Sequence, residues 1–355
     1  MSVHTSTVRH AAPRAHAVSR DEGAPAAARP VSRVLVTGAA GYIGSVLVRQ
    51  LIEAGYHVRG LDALFFGGNS LLGVFGHPRF EFHRADLRDP GAAAAGLEGV
   101  DAVVHLAAIV GDPACARDPQ LAREINWEAT RALFDLARST PGVRRFVFAS
   151  TCSNYGRMAP GALVDEDSPL NPVSLYAELK VRFEQRLLES DGRDDFVPTA
   201  LRFATVYGLS PRPRFDLTVN EFTREVTLGR TLRIFGEHFW RPYCHVEDLA
   251  RSCRMALEAD AALVRHRVYN VGDTEENYQK RMLADELLAV VPGARIEYVE
   301  KAEDPRDYRV DFARIRRELG FAITRRVPQG IREIHSALVA GILQDPDSPR
   351  YLNTV

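Results

Sequence analysis

A short apolar strand that runs into a glycine-rich turn constrains the fold of this chain more than any other stretch. Residues 34–37 read Val-Leu-Val-Thr, and glycines follow at positions 38, 41 and 44. Gly38 allows a tight turn, Gly41 lets the backbone come close to a pyrophosphate, and Gly44 lets the following helix pack closely. Free N–H groups and the positive dipole at the start of that helix attract phosphate. The pattern therefore predicts a loop that binds a pyrophosphate.

The residues after the turn complete the pattern of a dinucleotide-binding unit. A helical apolar stripe over residues 46–52 ends at Ala54-Gly55, and a second strand follows at residues 57–61. Asp62 comes about 20 residues after the last glycine, where such a unit places an acid on the adenosine ribose hydroxyls. Because its charge would repel a 2′-phosphate, the sequence favours NAD over NADP. A glycine-rich turn in another type of α/β protein is the alternative interpretation.

Composition limits the class of protein. The 355 residues can hold one large domain or two coupled ones, and the formal net charge of −1 gives no general reason to expect nucleic acid or an anionic membrane as partner. The four cysteines (115, 152, 244 and 253) have no metal-ligand or redox spacing, so we expect no metal site and a reducing cytoplasm. No apolar run approaches the roughly 20 residues of a membrane-spanning helix.

Both ends of the chain differ from the rest. Residues 1–32 are rich in Ala, Arg, Pro and His and have almost no large apolar side chains, so we expect a disordered tail. A transit peptide is the alternative, although a clearer apolar face would be expected of one. Residues 346–355 are expected to form a loose end.

Strands and helices alternate between these ends, which predicts an α/β protein. The apolar run at residues 102–108 is of the kind that is buried on both faces of a parallel sheet, and we interpret His105 within it as a core residue rather than a catalyst. Further strands are predicted at residues 79–85, 145–149, 199–203 and 268–272, and helices at residues 121–137, 220–228, 279–291 and 311–319.

A strand end and a tyrosine–lysine pair supply candidate catalytic side chains. The strand at residues 145–149 delivers Ser150 and Thr151 at its carboxyl end, the edge of a parallel sheet where ligands bind. Tyr176 and Lys180 lie on one face of a predicted helix because they are four residues apart. The Lys180 ammonium favours phenolate, so Tyr176 could act as a general base near neutral pH. The alternative is an ordinary surface pair.

Together these motifs resemble the extended short-chain dehydrogenase/reductase family, and within it the enzymes that modify nucleotide sugars. The family's nucleotide loop is written T-G-x-x-G-x-x-G, as at residues 37–44, and the resemblance covers roughly residues 33–335. It implies a Rossmann-type doubly wound parallel sheet at residues 33–205, to which the strand near 268–272 returns. A smaller, mostly C-terminal α/β substrate domain would occupy residues 206–345.

The same resemblance implies NAD as cofactor and assigns residues to its site. Asp86 would hydrogen-bond the adenine amino group, with a helix-capping role before Pro90 as the alternative. Lys180 would hold the nicotinamide ribose hydroxyls. The other expected cofactor contacts are Gly38, Gly41, Tyr42, Ile43, Gly44, Asp62, Leu87, Leu106, Ala107, Ala108, Asn126, Ser150, Tyr176 and Phe203.

A nucleotide-diphosphate sugar is the substrate that the resemblance implies. Asn220 and Arg241 match positions that hold the diphosphate, although Arg241 could instead be a structural ion-pair partner. One of Arg306 and Arg309 matches a phosphate-binding arginine, and the sequence does not decide which. Thr151, Cys152, Ser153 and Thr205 complete the expected substrate contacts, Thr205 standing where many hexose epimerases carry Asn. The loop at residues 109–113 should border the substrate.

The residues after Thr151 bear on which reaction takes place. The family's 4,6-dehydratases carry an Asp-Glu pair there, whereas this chain has Cys152 and Ser153, which cannot replace carboxylates as proton carriers. We therefore predict epimerisation, at carbon 4, with Tyr176 as base and Thr151 bonded to the same oxygen. The alternatives are a dehydratase or decarboxylase, a simple dehydrogenase, and a non-catalytic NAD-binding protein. The resemblance also implies a homodimer in which the apolar stripes of helices 121–137 and 175–188 meet in a four-helix bundle.

Overall fold

A seven-stranded parallel sheet forms the centre of the protein. The computed structural model describes residues 31–159, 161–191, 193–300 and 307–353. Residues 1–30 of the expected tail, and Arg306 with its expected phosphate contact, lie outside the described residues. The strands are β1 (Arg33–Thr37), β2 (His57–Asp62), β3 (Phe80–Arg84), β4 (Ala102–His105), β5 (Arg145–Thr151), β6 (Leu163–Val164), β7 (Val197–Phe203), β8 (Thr205–Tyr207), β9 (Thr231–Phe235), β10 (Trp240–His245), β11 (Arg267–Val271), β12 (Asn277–Gln279), β13 (Arg295–Val299) and β14 (Arg309–Val310).

The order of the central strands is that of a doubly wound sheet. It runs β11-β7-β5-β4-β1-β2-β3, and every neighbouring pair is parallel. From β1 the chain adds β2 and β3 on one side and then crosses to β4 on the other, so the direction of winding reverses between β1 and β4. Ligands bind at such a switch point, outside the carboxyl ends of the strands.

Helices cover both faces of this sheet. They are α1 (Tyr42–Glu53), α2 (Pro90–Leu97), α3 (Asp112–Arg117), α4 (Pro119–Arg123), α5 (Thr130–Ser139), α6 (Leu175–Leu188), α7 (Thr218–Thr227), α8 (Val246–Glu258), α9 (Ala261–Val264), α10 (Lys280–Val290), α11 (Ala313–Leu319) and α12 (Val327–Val339). Val34 and Val36 of β1 pack in the core with α1 and α8, whereas Leu35 packs in a second core with α2, α5 and α6. Because both faces are buried, the predicted Rossmann-type fold is confirmed.

The helix expected at residues 121–137 is divided. A π-helical turn, Glu124–Ala129, separates α4 from α5. The Thr130 hydroxyl donates to the Ile125 carbonyl at 2.9 Å, and the Asn126 side chain bonds both the N–H and the carbonyl of Ile109 at 2.8 Å. These side-chain hydrogen bonds accompany the π-helical turn where the helix meets the loop after β4. The periodicity of apolar residues cannot predict such a turn.

The apolar stripe of this region faces the interior of the same chain. Ile125, Ala129 and Leu133 are buried, and Leu121 and Leu136 pack against the same cores. Within one copy of the chain this stripe therefore belongs to the core, and the homodimer with its four-helix bundle stays a prediction. The outer surface of α6 instead carries exposed Arg182, whose guanidinium stacks on Trp127 at 3.8 Å from the ring centroid.

A smaller unit of structure follows β7. β8 and β12 flank β10, and β9 pairs with β13. Apolar residues of α7, α10 and α12 pack around β9 and β10, with Ile234, Leu283 and Ile331 almost completely buried. The predicted strand near residues 268–272 is β11, which pairs with β7 and so belongs to the central sheet.

The end of the chain differs from the expected loose end. Pro349–Tyr351 forms a 3-10 turn, Tyr351 and Asn353 are buried, and the Phe215 N–H donates to the Tyr351 carbonyl at 2.8 Å. Ring packing of Tyr351 on Phe215 holds this segment against the residues before α7. Within the described part of the chain, no helix combines the length and apolar character needed to cross a membrane.

Candidate cofactor and substrate site

A cavity of about 560 Å³ lies at the carboxyl ends of the central strands. It collects residues that follow β1, β2, β3, β4 and β5, as a switch-point site should. Most of the sequence-predicted site residues line it, namely Gly38, Gly41, Tyr42, Ile43, Gly44, Asp62, Asp86, Leu87, Leu106, Ala107, Ala108, Ser150, Thr151, Ser153, Tyr176, Lys180, Phe203, Thr205 and Arg241. Asn126, Cys152, Asn220 and Arg309 are not among the lining residues.

The glycine turn is built as tightly as its spacing indicates. Gly38 has φ +71°, and the Gly41 N–H donates to the Gly38 carbonyl at 3.0 Å. A Cβ at Gly38 would lie 2.8 Å from the Ala107 nitrogen, and one at Gly44 would lie 2.0 Å from the Gly38 carbonyl oxygen. Gly44 is thus required mainly because α1 begins against the turn itself. The cradle has room for a phosphate only while these side chains are absent.

Asp62 is fixed beside this cradle by two backbone N–H groups. Ala40 donates to one carboxylate oxygen at 3.0 Å and Leu64 donates to the other at 2.8 Å. Burial raises the pKa of Asp62, while these two bonds oppose that shift. Each oxygen keeps a further lone pair for a ligand hydroxyl, so the carboxylate and the glycine cradle together fit the ribose and pyrophosphate of NAD.

Asp86 lines the cavity but is not a helix cap. Asp89 caps α2, because its side chain accepts the Gly91 N–H, so the capping alternative for Asp86 is wrong. Arg88 pairs with Asp86 at 2.8 Å, and this hydrogen bond is the main reason why the pKa of Asp86 is lowered. Asp86 is therefore an anionic acceptor at the edge of the site.

Tyr176 and Lys180 lie together on α6, whose first turn is capped by Ser174. The Lys180 ammonium donates to the Ala149 carbonyl at 2.7 Å and lies 5.9 Å from the Tyr176 ring centroid. Only 4% of Lys180 is exposed, and burial lowers its pKa to about 8. Burial also raises the pKa of Tyr176, with Cys115 and Asp112 adding to the shift. The protein alone therefore favours the phenol, the opposite of the direction expected from the sequence.

The residues at the end of β5 divide between the cavity and the core. The Thr151 hydroxyl accepts the Ser153 N–H at 3.1 Å, and both residues line the cavity. The Ser150 hydroxyl donates to Glu184 at 2.7 Å, so it is already used in a buried network. Cys152 is completely buried, with its thiol 3.2 Å from the Arg202 carbonyl, and burial raises its pKa. Its expected substrate contact is absent because its side chain points into the core.

Two predicted asparagines hold loops instead of lining the cavity. Asn126 fixes the loop after β4 through both polar groups of Ile109, which agrees with a steadying role. Asn220 accepts the Gly208 N–H and donates to the Gly208 and Arg214 carbonyls and to the Tyr42 hydroxyl. Because these bonds use the whole Asn220 amide, a direct diphosphate contact from it is not available.

The two predicted arginines that the structure describes are placed differently. Arg241 lines the cavity, donates to the Trp240 carbonyl at 2.7 Å and lies 5.4 Å from the Tyr308 ring centroid. Arg309 donates to the Gly161 carbonyl and stacks on Trp240 at 5.2 Å, outside the cavity. Arg241 is therefore the better placed of the two for a phosphate.

Several lining residues were not assigned from the sequence. They are Arg212, Arg214, Asp216, Tyr243, Lys280, Tyr308 and Asn353, whereas Asp112 lies in the loop at residues 109–113 that was expected to border the substrate. The irregular Pro-Arg-Pro-Arg stretch at residues 211–214 is a local signal for the two arginines. Asn353 has no comparable signal, because its role depends on contacts with residues more than a hundred positions away.

His105 and possible metal ligands complete the description. His105 is buried between the hydroxyls of Thr37 and Thr130, at 2.7 and 2.9 Å, and burial lowers its pKa to about 3. It is a neutral core residue, as expected. No group of three or more His, Cys, Asp or Glu that could hold a metal ion occurs among the residues that the structure describes.

Known proteins share this sequence and fold. The sequence profile of the NAD dependent epimerase/dehydratase family matches residues 34–272. A dTDP-glucose 4,6-dehydratase of Streptomyces griseus is 35% identical over 304 residues, which cover 82% of this chain and 89% of the relative. A UDP-glucose 4-epimerase of Lactobacillus helveticus is 30% identical over 310 residues, which cover 81% of this chain and 91% of the relative. The UDP-glucuronic acid 4-epimerase of Bacillus cereus, in complex with UDP-glucuronic acid and NAD, has a TM-score of 0.77 at 25% identity and covers 87% of this chain and 99% of its own.

Proposed function

We propose that this chain, which belongs to the NAD dependent epimerase/dehydratase family, epimerises a nucleotide-diphosphate sugar at carbon 4. The chain is an NAD-dependent enzyme, and related proteins bind nucleotide sugars beside NAD. Its relatives include both a named dehydratase, at 35% identity, and a named epimerase, at 30% identity, and identities in this range do not decide between the two reactions. The choice between the two reactions therefore depends on the side chains of this particular cavity.

The observation that carries the proposal is the pair of residues after Thr151. Elimination of water from a keto-sugar needs groups that remove and deliver protons at neighbouring carbons, and the family's dehydratases have an Asp-Glu pair at these positions. Here Cys152 is buried outside the cavity with a raised pKa, and Ser153 offers only a hydroxyl. Neither can carry protons near neutral pH. Epimerisation needs no further proton carrier than Tyr176.

The residues of the chain have distinct roles in this reaction. Bound NAD supplies the acceptor and donor of hydride, which no side chain can provide. Tyr176 removes the proton of the carbon 4 hydroxyl and later returns it, while Thr151 bonds the same oxygen and Lys180 orients the cofactor ribose. The hydride leaves one face of carbon 4 and returns to the other face after the keto-sugar turns. NAD is thereby restored and no net oxidation occurs.

Cationic side chains support a diphosphate substrate. Arg214 and Arg241 line the cavity and are more than nine-tenths buried, and Lys280 lines it as well. Arg214 is held by Asp216 through two bonds of 2.9 and 2.7 Å, which fixes the plane of its guanidinium. Planar guanidinium groups pair well with phosphate oxygens. We assign the diphosphate to this side of the cavity, near Arg241.

Product analysis tests the proposal directly. The purified enzyme is incubated with UDP-, TDP- and GDP-hexoses, and the products are resolved by chromatography and NMR. The expected result is a sugar inverted at carbon 4 without accumulation of NADH, and its absence in Tyr176→Phe. A 4-keto-6-deoxy sugar, a pentose or stoichiometric NADH would contradict epimerisation and indicate a dehydratase, a decarboxylase or a dehydrogenase.

Asp112 is one observation that favours dehydration as a second candidate. This carboxylate lines the cavity, accepts the Ser174 hydroxyl at 2.7 Å and is close enough to Tyr176 to raise its pKa. It could carry one of the two protons that elimination needs. Asp112→Asn separates the candidates, because a dehydratase would lose turnover by orders of magnitude whereas an epimerase would keep most of it.

We further propose that the enzyme is a cytoplasmic homodimer. The four cysteines are free and buried, which suits a reducing compartment. The surface formed by Trp127, Arg138, Arg182 and Arg186 is a concave area on α5, α6 and the π-helical turn before α5. Arginines that stack on an aromatic ring or pair with carboxylates are suited to a polar subunit interface, in contrast to one formed by two apolar stripes.

A further inference from the structure

The C-terminal segment, residues 349–353, forms part of the cofactor cavity. Asn353 lines the cavity although it lies far from every other lining residue in the sequence. Its backbone N–H donates to Asp216 and its side-chain amide donates to the Val110 carbonyl, each at 3.2 Å. The segment therefore connects the loop after β4 with the loop after β8.

Arg212 is the side chain that this segment holds in place. One guanidinium nitrogen donates to the Asn353 side-chain oxygen and another donates to the Leu352 carbonyl, each at 3.0 Å. The guanidinium carbon lies 4.0 Å from the Phe66 ring centroid, within the loop that follows Asp62. Three separate parts of the chain thus meet at Arg212, and the C-terminal segment supplies both of its hydrogen-bond acceptors.

One donor of Arg212 is left without an acceptor. The Nε–H group is buried and has no hydrogen-bond partner among the residues that the structure describes, and only 6% of the residue is exposed. A buried donor of a charged group that stays unsatisfied is costly. Arg212 lines the cavity and lies close enough to Asp62 for their charges to interact. A bound ligand with an anionic or hydroxyl oxygen in the adenosine half of the cavity would satisfy this donor.

We propose that the C-terminal segment clamps the adenosine half of NAD through Arg212, with Asn353 as the positioning residue. Arg212 donates its Nε–H to a ribose or phosphate oxygen of the dinucleotide, and Leu352 and Asn353 keep the guanidinium stacked on Phe66. The clamp slows release of the dinucleotide. This purpose rests on the proposed epimerisation, which returns the hydride to the same sugar and so gains from a cofactor that stays bound.

Displacement of NADH measures the clamp without any sugar substrate. The fluorescent complex of NADH with the full-length enzyme is mixed with excess NAD, and the loss of NADH fluorescence gives the release rate. We expect Asn353→Ala to release NADH about ten-fold faster, which corresponds to about 1.4 kcal/mol. Asn353→Asp keeps an acceptor for Arg212 and should recover most of the slow release, a rescue that a merely structural role would not give.

Two further variants complete the experiment. Asp347→Asn is the matched control, because it removes an exposed partner of Arg230 near the same segment and should release NADH at the wild-type rate. Arg212→Lys keeps the charge but loses the paired hydrogen bonds to Leu352 and Asn353, so it should release NADH faster. It replaces Asn353→Ala as the test if that variant does not fold. Wild-type release rates in Asn353→Ala or Arg212→Lys would overturn the clamp. Failure of epimerisation in the product analysis would leave these rates unchanged, so the two proposals fail separately.

Discussion

Replacing Gly44 with alanine should disrupt the start of α1 and thereby both the fold and NAD binding. The added Cβ would lie 2.0 Å from the Gly38 carbonyl oxygen and 3.0 Å from the Ala39 Cα. Ordinary contact begins near 3.4 Å, so the helix start or the turn must move by more than one ångström. Overpacking typically lowers the free energy of unfolding by about 1–3 kcal/mol. Because the atom that the new Cβ meets belongs to the backbone and cannot rotate away, we expect a loss at or above the upper end of this range. That is a large part of a total stability of about 5–15 kcal/mol.

Gly41→Ala is the matched comparison. Its Cβ would lie 3.0 Å from the same carbonyl oxygen, and Gly41 has an ordinary φ of −74°, so a small shift accommodates the methyl group. The methyl group would still occupy the space where the backbone approaches the pyrophosphate. We therefore expect Gly41→Ala to lose at least ten-fold in NAD affinity with a stability loss below about 1 kcal/mol.

Urea unfolding and NAD titration separate the two effects. Unfolding is followed by tryptophan fluorescence in the absence of NAD, and NAD binding is measured by calorimetry at a temperature where both variants are folded. The expected order of stability is wild type, then Gly41→Ala, then Gly44→Ala by a wide margin. A Gly44→Ala variant as stable as the wild type would refute the argument from close approach.

Four further results are expected. NAD should bind about 100-fold more tightly than NADP, and Asp62→Ala should narrow that difference; equal affinities in titrations of the wild type would remove the role of Asp62. Tyr176→Phe should keep NAD binding while turnover falls by about 10²–10⁴-fold, and near-normal turnover would mean that another group is the base. Because the pKa of Lys180 is lowered to about 8, its ammonium is present below that pH and lost above it, so kcat/KM should fall as pH rises past 8; a rise continuing to pH 10 would contradict this. Light scattering at micromolar concentration should give a dimer mass that Arg182→Glu lowers to that of a monomer, and a monomeric wild type would refute the proposed interface.

Features that depend on near neighbours in the sequence could be predicted. The glycine turn, Asp62 and the Tyr176–Lys180 pair each lie within one strand, turn or helix, where the spacing of residues fixes their geometry. The parallel sheet followed from the same reasoning, because alternating strands and helices have few ways to pack. The structure places all of these residues around one cavity.

Features that depend on contacts between residues far apart in the sequence could not be predicted. Whether the Cys152 side chain points into the cavity or into the core depends on the backbone geometry where β5 ends. The alternation of apolar and polar residues cannot predict the direction of a single side chain at that point. The capping role of Asp89 rather than Asp86 depends on where α2 begins, which is the least reliable part of a sequence-based prediction. The contact of Asn353 with Arg212 and Val110 has no local signal at all, and so the C-terminal residues were expected to be loose.

Burial of Tyr176 gives a physical reason why its proton transfer follows the redox state of the cofactor. Within the protein alone, desolvation raises the pKa of the phenol, and the charge of Arg214, which lowers that pKa, does not overcome the effect of burial. A further positive charge beside the ring favours phenolate, and oxidised NAD carries such a charge whereas NADH does not. In the epimerisation that we propose, Tyr176 would therefore be ready to accept a proton from the sugar hydroxyl before the hydride leaves. It would hold that proton while the keto-sugar is present and give it back as the hydride returns.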